Sequence, residues 1–270
     1  MIVDYHMHLR DRHGNEPGGR YLVDRLELYV EQARHAGVDE IGISDHGYHF
    51  RQLEPVFDLP WMQERWGDDL DEYVAAVEAG KARGLPVKLG LEVDFLPDRV
   101  QTIAELLEPY PWDYLLGSVH FVDGRSVDMD ETFGDEAGWR AYFAALGEAA
   151  TSGLFDVLSH PDLVKFFGRR PDSALVAELH KAAAEAFVRG GVCVEVSASG
   201  LHKPVGEIYP NAGLLRRCRE VGVPITLASD AHYLEHVGRD VARAAAHARA
   251  AGYETVTVFE RGARRQEPLG

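Results

Sequence analysis

The chain has 270 residues, 46% of them hydrophobic, with 27 Gly, 13 Pro and a formal net charge of −16. That length and apolar share suit one large α/β core, and the acidic balance argues against nucleic acid and against a membrane surface, both of which are gripped by clustered Lys and Arg. The opening MIVDYHMHLR carries no basic segment leading into an apolar stretch, and the only cysteines, Cys193 and Cys218, cannot build a disulfide framework, so a soluble cytoplasmic protein is expected.

In chain order, a strand-like run at 2–5 leads to a helical segment at 21–36, where Leu22, Leu26, Tyr29, Val30 and Ala33 recur three and four residues apart as one apolar face. Strand-like runs follow at 40–44, 86–91, 114–118, 155–159, 192–197, 225–229 and 255–259. Helical segments alternate with them at 69–83, 97–108, 136–152, 172–189, 210–221 and 235–251, and several close on Gly before the next strand, as in HAGVDEIGIS and REVGVPITLAS. Such alternation predicts parallel strands joined by right-handed crossovers. No GxGxxG or GxxxxGK[ST] follows the first strand, which removes the usual reason for an open nucleotide-binding sheet and favours a barrel. No repeat or low-complexity linker divides the chain, so residues 1–270 read as a single domain.

The 13 histidines are informative by position. His6 and His8 end the first run, Asp45 and His46 the second, Glu92 follows the third, His120 the fourth, His160 the fifth, and Asp230 with His232 the seventh. In a barrel these C-terminal ends share one rim, where barrel active sites are built. A lone His at a strand end is ordinarily a hydrogen-bonded loop residue. An HxH pair is more specific, because residues i and i+2 of a strand face the same side and can chelate one ion. The joint occurrence points to a polynuclear metal site. His13, in the loop RDRHGNEPGG, is positioned to reach back over that site. His49, His202 and His236 lie in loops of the same face, as candidates for substrate contact. His35, His180 and His247 sit in helical segments and are expected to be solvated, and Glu195, inside CVEVS, ends no strand and is expected to be structural.

YHMH at 5–8, SDHG at 44–47, GLEVDF at 90–95, GSVHF at 117–121, SHPDLVKFFG at 159–168 and SDAH at 229–232 resemble, in order, the motifs of the PHP (polymerase and histidinol phosphatase) superfamily. GSVHF, SHPDLVKFFG and SASGLHKPVGEIYPN at 197–211 are closer still to its histidinol-phosphatase branch. The resemblance implies a distorted (β/α)7 TIM-like barrel, so the eighth run, 255–259, is expected outside a regular barrel. It also implies three divalent ions, zinc, manganese or iron. His6, His8, Glu92 and Asp230 would hold one, and Glu92 would bridge to a second completed by His120 and His160. His46, His232 and His13 would take the third. Asp45 matches its motif without being a ligand there and is expected to support the ligands from behind.

The nitrogen and oxygen donor set suits such ions, and closely spaced divalent ions favour phosphomonoester hydrolysis by binding phosphate oxygens and activating water. The resemblance makes L-histidinol phosphate, in histidine biosynthesis, the expected substrate. Glu92, Asp230 and His232 are the expected catalytic residues, with His232 or a coordinated water supplying the leaving-group proton. Arg169, Lys165, Arg51 and His202 are candidate substrate contacts, and Asp94, Asp162 or Glu207 candidates for the cationic end of histidinol. The competing readings are a PHP-superfamily phosphoesterase with another small phosphorylated substrate, a metal-dependent amidohydrolase, and a non-catalytic metal-binding protein. The loop 47–67, with two Trp, is long for a strand-to-helix connection, which is often a functional feature.

Overall fold

A computed structural model of the chain describes residues 1–10, 21–57, 62 and 67–270. Its parallel strands fall into two sheets. The first pairs β1 (Val3–Asp4), β2 (Glu40–Ile43) and β3 (Val87–Leu89) in that order. The second runs from β4 (Glu92–Asp94) through β5 (Leu116–Ser118), β8 (Val157–Leu158) and β9 (Cys193–Ser197) to β10 (Ile225–Ala228). A small hairpin, β6 (Phe121–Val122) and β7 (Arg125–Ser126), follows β5. The two sheets meet through isolated parallel bridges, His46, just beyond β2, to Glu92 on one side and Met7, just beyond β1, to Ala231 on the other. Tyr5 N also donates to Leu227 O at 3.0 Å. The parallel strands thus enclose a distorted barrel without one continuous ladder.

The run expected at 86–91 is strand only to Leu89, a separate strand with different partners starts at Glu92, and glycines explain the break. A Cβ at Gly42 would lie 2.1 Å from the Tyr114 hydroxyl, and one at Gly90 would lie 2.4 Å from Cζ of the same ring. Two glycines therefore let Tyr114 cross between β2 and the end of β3, where its hydroxyl donates to Tyr5 O at 2.7 Å. Glu92 resumes the strand beyond this crossing, at the seam of the two sheets.

The α-helices with described bounds are α1 (Val23–His35), α2 (Leu70–Ala82), α3 (Val100–Leu107), α4 (Glu136–Thr151), α5 (Ser173–Gly190), α6 (Ala212–Val221) and α7 (Val241–Ala250). Asp69, Asp135, Asp172 and Asn211 cap α2, α4, α5 and α6 by accepting from first-turn amides, and left-handed Gly191 and Gly222 end α5 and α6. The α1 face buries Leu26, Tyr29, Val30 and Ala33, while Leu22 stays exposed just ahead of the helix.

Two histidine expectations need correction. His180 is buried on the face of α5 that packs on α4, its ring centroid 5.7 Å from that of Phe143, rather than solvated. His247 is half-buried, its Nε2 3.1 Å from Pro210 O. Both lie on the inward face of an Ala-rich helix, where small neighbours leave room for a ring. The run at 255–259 is an outlying hairpin, as expected. Its strands β11 (Thr255–Glu260) and β12 (Ala263–Pro268) pair antiparallel, and Phe259 packs 5.4 Å from Tyr114 at the N-terminal end of β5. Among the described residues no helix is long and apolar enough to cross a membrane.

Candidate metal centre

The side chains that end β1, β2, β5, β8 and β10 converge with Glu92 at the C-terminal rim, and Glu92 is their hub. One of its carboxylate oxygens, Oε2, lies 2.7 Å from His46 Nδ1, 3.1 Å from His6 Nε2 and 3.7 Å from His8 Nε2. The other, Oε1, accepts from Ser118 Oγ at 2.6 Å and lies 3.2 Å from His160 Nε2 and 3.7 Å from His120 Nε2. Asp230 Oδ1 stands 3.6 Å from His8 Nε2, 3.8 Å from His6 Nε2 and 3.4 Å from His232 Nδ1. Ring centroids of His8 are 4.4 Å from His46 and 4.2 Å from His232, and those of His120 and His160 are 5.0 Å apart.

These contacts leave polar atoms without hydrogen bonds. His6 Nε2, both ring nitrogens of His8, His46 Nδ1, His160 Nδ1 and Glu92 Oε2 are buried and unpartnered. Even the 2.7 Å approach of His46 to Glu92 lacks hydrogen-bond angles. Buried polar atoms are nearly always satisfied, so a cluster of orphans gathered around one carboxylate fits a site for cations. Three triads place their donor atoms within 4.8 Å of one another: His6, His8 and Glu92; Glu92, His120 and His160; and His8, His46 and His232. The last differs from expectation by including His8, and His13 lies outside the described residues. The donors are imidazole and carboxylate, which suit divalent zinc, manganese or iron. Cys193 and Cys218 are buried, and burial pushes both thiols up.

The electrostatics keep the carboxylates ionised. Burial opposes ionisation of Glu92, but His46 and His6 outweigh it and hold the carboxyl well below its usual range. Asp230 is likewise held low against burial by His6, His8 and His232, with Lys203 adding its positive charge. Burial, with His46 next, lowers His8 to about 3, so that ring is neutral and able to ligate. In His6 burial is overcome by Glu195, Glu92 and Asp230, which raise it well above the usual value. In His120 burial is overcome by Asp94, which raises it to about 10.

Behind these groups stands a layer of carboxylates that bind protein. Asp45 accepts from Leu9 N and Arg10 N at 3.2 and 3.0 Å, as expected of a support. Asp94 Oδ1 is 2.8 Å from His120 Nδ1, which engages one oxygen of this candidate for histidinol recognition. Asp4 accepts from Ser229 N, Ser229 Oγ and Gly238 N, fixing the turn into Asp230, whose φ is +54°. Glu195 corrects the expectation of a purely structural residue. It is fully buried, 2.8 Å from His6 Nδ1, and accepts from His160 N at 3.0 Å. The signal was present: a single carboxylate in an apolar strand must be paired.

The expected substrate contacts are all engaged with protein. Lys165 is fully buried, donating to Ile208 O at 2.7 Å beside Asp162 and Glu207. Arg51 pairs with Asp69, and Arg169 donates to Glu131 O at 3.0 Å. His202 lies between Asp240 and Arg239. Asp162 accepts from Asn211 and Glu207 from Arg170. Lys203, in the segment SASGLHKP and absent from the sequence candidates, bears on Asp230 and has its ammonium 5.9 Å from the Phe166 ring centroid. His49 is buried against Tyr48, and Tyr48 stacks on His46 at 4.6 Å. His236 packs on Tyr233. In the loop 47–67, Phe50, Leu53, Phe57 and Met62 are buried in the core.

Residues 23–199 match the family model described as the PHP domain. A curated protein of Deinococcus radiodurans named "Probable histidinol-phosphatase" is 34% identical over 262 residues, covering 94% of this chain and 97% of the relative. A protein of Schizosaccharomyces pombe with the same name is 24% identical over 265 residues, covering 88% and 85%. The fold is shared with a histidinol phosphate phosphatase of Lactococcus lactis, solved with zinc, L-histidinol and phosphate. The TM-score is 0.76 at 19% identity, over 98% of each chain.

Proposed function

This chain belongs to the PHP domain family, and on that premise we propose that it is a metal-dependent histidinol-phosphatase releasing phosphate and L-histidinol from L-histidinol phosphate. The observation that carries this reading is the cluster of unpartnered imidazole nitrogens around Glu92. The names of the Deinococcus and Schizosaccharomyces relatives, which cover most of the chain, support the substrate.

His6, His8, Glu92 and Asp230 would hold one ion, Glu92, His120 and His160 a second, and His46 and His232 a third, with His8 beside them and His13 as the expected further ligand. Zinc, present in the Lactococcus structure, manganese and iron all suit these donors. Ions held there would supply positive charge for phosphate oxygens and acidify water toward neutral pH. That charge offsets the acidic surface where an anionic substrate must approach.

The chain's own residues set the protonation. Glu92 and Asp230 stay ionised against burial. His232 Nδ1 stands 3.1 Å from Asp230 O and donates there. We assign its Nε2 the lone pair, so the leaving oxygen takes its proton from water. Arg169, Lys165, Arg51 and His202 serve as substrate contacts only by exchanging a protein acceptor for phosphate, whereas Lys203 already directs its charge at Asp230. Asp94, with Oδ2 unpartnered, is assigned to the cationic end of histidinol. The reading places this activity in one domain over residues 1–270, in the cytoplasm, without nucleic acid.

Phosphate release from L-histidinol phosphate and from 4-nitrophenyl phosphate tests the reading. A preference of about 100-fold in kcat/KM, worth about 3 kcal/mol of transition-state binding, is expected. Equal kcat/KM for the two contradicts the narrow substrate.

A further inference from the structure

Glu195 lies at the centre of β9, fully buried, on the same strand face as Cys193 and Ser197. Each of its carboxylate oxygens meets one group, Oε2 the Nδ1 of His6 at 2.8 Å and Oε1 the backbone N–H of His160 at 3.0 Å. The backbone N–H can only donate. An imidazole nitrogen held against a buried carboxylate carries the ring proton, so His6 donates as well. The proton is thereby fixed on Nδ1. His6 Nε2, 3.1 Å from Glu92 Oε2 and unpartnered, is then the nitrogen that turns to the cluster and would offer its lone pair to an ion.

The contact to His160 does a different job. His160 has φ of +25°, a region that residues with a side chain rarely adopt. The bond from its N–H to Glu195 holds this conformation, and with it the ring that stands 3.2 Å from Glu92 and lies tilted against that of His120.

We propose that Glu195 is a positioning residue that sets two ligand groups at once: it fixes the tautomer of His6 in one and the backbone of His160 in the other. The inference rests on the metal reading of the preceding section. It also explains why the position carries a carboxylate. Both partners donate, so an amide, with one acceptor and one donor, can satisfy only one of them. Glu195→Gln must leave a donor facing a donor, either at His160 or at His6, where relief requires the ring proton to move to Nε2 and occupy the lone pair.

The test is zinc retention by the loaded full-length protein against increasing dipicolinate, with the visible spectrum of the cobalt-substituted form as a readout of ligand geometry. Glu195→Gln is expected to lose zinc at roughly 10- to 100-fold lower chelator concentration and to alter the cobalt spectrum, the usual range for loss of a ligand's supporting partner. Asp113→Asn is the control. Asp113 is equally buried but binds Leu89 N and Lys81 away from the cluster, so that variant is expected to lower Tm and leave zinc release unchanged. Zinc release from Glu195→Gln within twofold of wild type overturns the proposal, as does an equal loss in both variants. Nitrogen-15 NMR of the histidine rings of zinc-loaded wild type needs no variant: a His6 proton on Nδ1 supports the proposal, and a His6 Nδ1 without a proton overturns it. Wild-type protein that binds no zinc would instead defeat the metal reading, while a His6 Nδ1 that carries no proton in the metal-free chain still overturns the role of Glu195.

Discussion

Glu92→Gln perturbs the centre where most of its groups meet. The carboxylate is 1% exposed, lies within 3.7 Å of five imidazoles and belongs to two of the three triads. The amide keeps the size of the side chain and removes an anionic donor from both triads. Zinc sites of four ligands bind with about 10 to 16 kcal/mol, so one ligand accounts for about 3 kcal/mol. At about 1.4 kcal/mol per tenfold, each of two ions should bind roughly 100-fold more weakly. Elemental analysis of wild type and variant after equilibrium dialysis across a range of free zinc reads this directly. The stability of the metal-free chain gives a second readout. Because the folded-state pKa of Glu92 is depressed, its contribution is present above the usual carboxylate range and lost as pH falls, so the variant should be less stable at pH 7 and the difference should narrow in acid. Equal zinc content at every free concentration would refute the assignment of Glu92 as the shared ligand.

Other consequences are equally concrete. Burial lowers His180 to about 4 from 6.5, so its contribution to stability is full above pH 6.5 and is lost as pH falls toward 4; the loss amounts to roughly 3 kcal/mol. Chemical denaturation of wild type should show that decline, His180→Gln should show much less of it, and parallel pH profiles would contradict the burial argument. Gly42→Ala drives a Cβ into the Tyr114 hydroxyl and should cost about 3 kcal/mol, with Tm lower by roughly 6 to 12 °C. Tyr114→Phe in the same chain should restore part of the loss, and strictly additive effects would show that the hydroxyl is not the obstacle.

The barrel was legible because its signals are local. Alternating apolar runs and helical faces, Gly at helix ends, and metal-type residues closing successive strands all survive in one dimension, and His6, His8, His46, His120, His160, Asp230 and His232 do meet on one rim. What escaped depends on pairing between distant segments. Nothing in KLGLEVDF announces that Tyr114 passes Gly90 and splits the run into strands of different sheets. Nor does CVEVS reveal that Glu195 faces His6, 189 residues away, although an isolated acid in a buried strand needs a partner. The burial of His180 does not show in the sequence because an Ala-rich helix hides which face its neighbour covers. Position along the chain misleads for Arg51, Lys165 and Arg169 for a related reason: they follow strands on the active face, yet acceptors elsewhere in the chain engage each of them.

The most direct test of the whole account is turnover of L-histidinol phosphate with metal content determined on the same sample, before chelation, after it, and after zinc or manganese is restored. The account predicts phosphate release that falls with the bound metal and returns with it. Full turnover by a sample shown to hold no divalent ion would contradict it.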